Sequence, residues 1–327
     1  MAFTITETTF GTLPALAIEG AGARVVVTLR GVTVISWTVD GVELIDGYAS
    51  EQEFAEQAGM RSAVMVPFSN RIEGGRYSFD GREIDFHAED PEHAGEAVIH
   101  GMLRLENFVI TGTVLNETGA IVHFFSRALR PGAYPGYPFS VDVAIDLTVT
   151  PAGLEFVIAG TNVGAESVPF ASGWHPYFTI GAAPLAGLSA TIPATTRIVA
   201  DAELIPLHGD SAFIPVAGEW DFRAGRPLSD QVIDMAFTGL TPESDGLVHS
   251  MLTDPESGRS IDVWQNSGVM HVFTADTVTR PRGSFAMESV EVMTNSVNRP
   301  DQSDAIRLEP GARRTFRFGV TTELENA

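Results

Sequence analysis

The 327-residue sequence predicts an all-β protein, a large antiparallel β-sandwich. Short β-branched and apolar runs recur along the chain, and Gly- and Pro-centred turn signals separate them. Strands do not alternate with long amphipathic helices, which disfavours a parallel α/β sheet.

Residues 24–39 (RVVVTLRGVTVISWTV) have the composition of two strands joined around a Gly. Residues 76–86 (RYSFDGREIDF) alternate aromatic and polar side chains around Asp80-Gly81, a pair that tolerates the positive φ of a tight hairpin turn. Further strands are expected at 120–128, 139–150, 154–161, 196–200, 260–264, 270–273 and 315–320. Residues 50–58 (SEQEFAEQA) open with Ser50 and place Glu53 three positions on, a capping-box arrangement for one short helix. Neither a fixed-period repeat nor a Pro/Ser-rich linker interrupts the chain, so residues 1–327 are expected to form a single domain.

Hydrophobic residues make up 44% of the chain and charged ones 19%, enough apolar surface for a sizeable core. The 20 cations against 42 anions give a net charge of −22, which disfavours nucleic acid and anionic membranes as partners. All 20 cations are Arg and Cys is absent, which excludes thiol nucleophiles, disulfides, Schiff-base lysines and a P-loop. The first ten residues lack a basic-then-apolar leader, and no apolar run reaches the roughly 18 residues of a membrane span. A cytoplasmic location is the expectation.

Several polar residues stand in unusual surroundings. His175 lies among aromatics in Gly173-Trp174-His175-Pro176-Tyr177-Phe178, and His100 precedes a Gly that permits close approach of backbone or ligand. Asn70-Arg71 emerges where an apolar strand ends, suited to sugar hydroxyls, a carboxylate or a structural Glu. Glu288 and Glu291 lie in Ala286-Met287-Glu288-Ser289-Val290-Glu291-Val292-Met293-Thr294; in an extended run they fall on opposite faces, so only one can enter a common pocket.

In this order, Asn70-Arg71-Ile72, Ile99-His100-Gly101, the His175 aromatic run, Val232-Ile233-Asp234-Met235 and Val290-Glu291-Val292-Met293-Thr294 resemble the aldose 1-epimerase (galactose mutarotase) family. Leu308-Glu309-Pro310-Gly311 resembles its closing strand region. The resemblance spans roughly residues 25 to 320 and implies the same sandwich fold.

It further implies interconversion of the α and β anomers of a free monosaccharide by general acid/base ring opening, with no metal or organic cofactor. By motif, Glu291 matches the general base and His175 the general acid. Asn70, Arg71, His100 and Asp234 match positions that bind hydroxyls or support the acid and base. Tyr177 and Trp174 could offer apolar faces to the ring or pack in the core, and His271 stands where the family often has Gln. Oligomeric state is not implied.

Four alternatives stay open. A hexose-6-phosphate mutarotase needs a cationic pocket, which −22 with no Lys opposes and for which Arg313-Arg314 is the candidate cluster. A non-catalytic sugar-binding protein would keep the fold without turnover, and a glycosidase would need two facing carboxylates. A metal enzyme is suggested by His87, Glu89 and His93, although their acidic stretch reads better as a solvated loop.

Overall fold

The structure, a computed structural model, describes residues 2–323. A nine-stranded antiparallel sheet orders Val109–Leu115, Ala120–Leu129, Val141–Thr150, Gly153–Asn162, Arg313–Glu323, Ser260–Gln265, Val248–Thr253, Ser189–Thr191 and Arg226–Pro227. An eight-stranded sheet runs through Phe213–Pro215, Ala194–Ile198, Asp234–Leu240, Val269–Phe273, Phe285–Val290, Gly173–His175 and Ala63–Met65, with Tyr177–Phe178 added on Phe285–Val290. A five-stranded sheet begins at Thr4–Phe10 and ends at Val42–Glu43. The predicted antiparallel sandwich is therefore what forms.

Side-chain alternation explains the layering. In Val141–Thr150 the residues Val141, Val143, Ile145, Leu147 and Val149 are buried while their neighbours are half-buried, the period of two of a sheet with one face on a core. The two large sheets meet where Trp174 packs 4.8 Å from Phe156 and 6.1 Å from Phe318. Trp174 thus belongs to the core.

The hairpin expected at Asp80-Gly81 joins Arg76–Phe79 to Arg82–Asp85, with both turn residues at positive φ, 50° and 77°. The short helix runs Glu51–Ala55, and the Ser50 hydroxyl accepts from the Glu53 N–H at 3.2 Å. Among the described residues no helix is long and apolar enough to cross a membrane.

Candidate functional site

The face of the eight-stranded sheet turned away from this core carries the polar residues. On Phe285–Val290, Phe285 and Met287 join the core, which turns Glu288 to the opposite side. On Val269–Phe273, Met270 and Val272 do the same and turn His271 outward, directly opposite Glu288 in the ladder. Trp174 inward sets His175 outward by the same rule. Asp234 lies one strand beyond His271, and its carboxylate meets the His271 Nε2 at 2.7 Å.

These residues line a cavity of about 570 Å³ together with Asn70, Arg71, His100 and Tyr177. His175 Nε2 lies 3.3 Å from Glu288 Oε1, and both residues are nearly inaccessible. Tyr177 stacks on the His175 ring at 4.9 Å and 25°, fixed by its hydroxyl donating to the Gly59 carbonyl at 2.8 Å. The cavity mouth is formed by the turn around Gly59, by Leu204 and Val232, and by the loop carrying Asp276 and Val278.

Asn70 and His100 hold each other through two contacts, each donated by a backbone N–H. His100 N–H donates to the Asn70 carbonyl at 3.0 Å, and Asn70 N–H donates to His100 Nδ1 at 3.2 Å. A ring nitrogen that accepts carries no proton, so neutral His100 bears its proton on Nε2. Both residues sit at positive φ, 53° and 59°, as does Gly101 at 65°. A Cβ on Gly101 would lie 2.1 Å from the Val66 carbonyl oxygen, so the close approach expected at this Gly is to backbone.

Burial dominates the electrostatics. It pushes the Glu288 carboxyl up to about 7 and holds the His175 imidazole down to about 3. His100 is likewise kept well below the usual range by burial, with His175 adding repulsion. Burial opposes protonation of His271 too, but the Glu288 and Asp234 carboxylates outweigh it and raise that imidazole.

One sequence expectation is corrected. Glu291 does not face the cavity: the strand ends at Val290, the Glu291 N–H donates to the Ser172 carbonyl, and the Glu291 carboxylate turns behind the sheet. There one of its oxygens accepts from Ser172 N–H at 2.7 Å and from the Ser172 hydroxyl at 2.8 Å. Glu288 is the carboxylate beside His175, as the parity of its strand dictates.

Other candidates fall outside the cavity. Arg314 is spent on the carbonyls of Phe170, Ala305 and Arg307, and Arg313 is exposed. His93 pairs with Asp90 at 2.8 Å on an exposed turn. No group of three or more His, Asp or Glu among the described residues is arranged to hold a metal.

The missed lining residues arrive from elsewhere in the chain. Residues 57–60 and 276–279 reach the mouth by tertiary placement, with no local motif, whereas Val232 belongs to the Asp234 motif, which gives it no role of its own.

Known proteins share this chain's fold and sequence pattern. The chain is 28% identical to galactose mutarotase of Rattus norvegicus over 357 aligned positions, covering 97% of this chain and 99% of that one. It is 24% identical to the uncharacterized protein YihR of Escherichia coli, covering 89% and 87%. A galactose mutarotase-like protein from Clostridium acetobutylicum shares its fold, with a TM-score of 0.85 at 14% identity over 99% of each chain. The profile of the aldose 1-epimerase family matches residues 15–321, and the chain belongs to that family.

Proposed function

We propose that the protein is an aldose 1-epimerase, an isomerase that interconverts the α and β anomers of an uncharged free aldose, with Glu288 and His175 as its acid/base pair. The observation that carries this is their 3.3 Å contact at the floor of the cavity. Ring opening requires removal of the O1 proton, cleavage of the C1–O5 bond and delivery of a proton to O5. Closure on the other face of the aldehyde reverses each step, so the pair needs one proton in total.

In this scheme Glu288 takes the O1 proton while His175 supplies the O5 proton, and the roles swap on closure. The raised carboxyl and depressed imidazole favour the shared proton on Glu288. Transfer across the same contact gives the form that begins with Glu288 as base. Glu288 Oε2 and His175 Nδ1 are buried without a protein partner, which suits atoms that await hydroxyls. Asn70, Arg71, His100, Asp234 and His271 would orient the ring, and Tyr177 would back His175.

An uncharged sugar is favoured over a phosphorylated one by the lining. Among the described residues Arg71 is its single permanent cation, set against the carboxylates of Asp234 and Asp276, a poor match for a phosphate dianion. The test is polarimetry of freshly dissolved α-D-glucose and α-D-galactose in buffer with chelator. Faster relaxation to the same final rotation is the expected result. Sugar binding without acceleration would instead identify a non-catalytic binder.

A further inference from the structure

We infer that the free edge of the strand Val109–Leu115 is where two copies of this chain pair, strand against strand. That strand ends the nine-stranded sheet and bonds only to Ala120–Leu129 among the described residues. Just before it, Phe108 N–H donates to the Leu29 carbonyl and Gly31 N–H to the Glu106 carbonyl, so the chain at 29–31 covers residues 106–108. From Val109 onward the outer row of backbone groups has no ladder partner among the described residues.

The side chains are uncovered as well. Ile110 and Leu115 pair with Phe124 and Ala120, which are buried, and cross-strand partners share a face. Ile110 and Leu115 therefore point to the core side of the sheet, yet they are 38% and 51% exposed because no second layer reaches over them. On the other face Val109 and Val114 are 58% and 44% exposed. A strand with apolar side chains open on both faces is an unusual surface for an isolated chain.

Three other sheet ends are protected. Thr4–Phe10 (TITETTF) is rich in Thr and carries Glu7, Phe213–Pro215 is three residues ending in Pro, and Arg226–Pro227 is a two-residue pair of Arg and Pro. Val109–Leu115 (VITGTVL) has seven residues with no charge and no Pro. Its bulge lies between Ile110 and Gly112 and leaves Gly112 to Leu115 in regular register.

Charge selects a second copy as the occupant. At −22 most surfaces of two such chains repel, whereas residues 107–116 (NFVITGTVLN) carry no charged group. The nearest charges, Glu106 and Glu117, lie beyond the two ends of the strand, so a basic partner has no charge to pair with along the edge itself. A twofold axis normal to the sheet makes the two edges antiparallel and keeps Ile110, Thr113 and Leu115 of both copies on one side. The cavity lies on the other large sheet, so this pairing is independent of the chemistry proposed above.

Sedimentation velocity over roughly a hundredfold span of micromolar concentrations tests the inference. The expected mass is twice the 35.0 kDa of one chain at the upper end. Val114→Glu and Leu115→Glu, on opposite faces of the edge, should each weaken association at least ~tenfold, with circular dichroism unchanged. Amide hydrogen exchange at residues 112–115 should slow as wild-type concentration rises. Single-chain mass throughout overturns the proposal, and so does a dimer that survives both substitutions with 112–115 still unprotected.

Discussion

Glu288 and Glu291 stand three residues apart at the end of one strand and meet opposite surroundings. Glu288 is buried and Glu291 half-buried, and desolvation raises both carboxyls above their ordinary range. What separates them is what their oxygens touch. One oxygen of Glu291 is engaged by two Ser172 donors, whereas Glu288 faces a titratable imidazole on one side and has an unpartnered oxygen on the other. Burial alone does not make a proton carrier; a buried carboxylate also needs a partner that can exchange its proton and an oxygen left for substrate.

The contrast is broken most directly by Glu288→Gln, which keeps shape and removes the proton acceptor. Turnover in the polarimetric assay should fall at least ~100-fold with the fold intact by circular dichroism. Near-normal turnover would remove Glu288 from the chemistry. His175→Asn should fall by a similar or somewhat smaller factor, at least ~tenfold, while sugar affinity changes less. A loss confined to affinity, read by titration calorimetry, would make His175 a binding residue.

Glu291→Ala should do the reverse. It leaves two Ser172 donors without their acceptor, so stability in a urea melt should drop by about 1–3 kcal/mol while turnover stays within about threefold. A large loss of turnover with no loss of stability would return the base to Glu291.

The last effect expected is a pH dependence of stability. Burial raises Glu288 from 4.5 to about 7, so between those values the folded chain holds a proton that the unfolded chain has released. Stability from this group is therefore full at acid pH and falls as pH rises through about 7. Glu288→Gln lacks this titration, so its melting temperature relative to wild type should climb from pH 5 to pH 8. A constant difference would show that Glu288 does not titrate in that window.

Much of the architecture is readable from local pattern, because alternation and turn chemistry act over a few residues. The hairpin at Asp80-Gly81 and the strand Ala120–Leu129 are examples. The edge strand Val109–Leu115 escaped that pattern because neither of its faces is covered, so its sequence has no polar side to alternate with. At the site, period two implied that Glu288 and Glu291 diverge, but which one enters the cavity depends on the core taking Phe285 and Met287. Motif likeness pointed to Glu291; the inward Met287 is the signal for Glu288. The mouth residues around Gly59 and Val278 are brought together by the whole fold, and no local spacing encodes that.

Arg71 is the single permanent cation among the described residues that line the cavity, and its character matters beyond its charge. A sugar whose ring has opened exposes an aldehyde, the form in which reducing sugars condense with primary amines to give imines. A guanidinium holds the same positive charge without a free amine lone pair, being fixed in its protonated form. An open-chain intermediate in this cavity would meet hydroxyl-binding groups and a cation, yet no lysine to capture it, and would be left free to turn about its C1–C2 bond and close again.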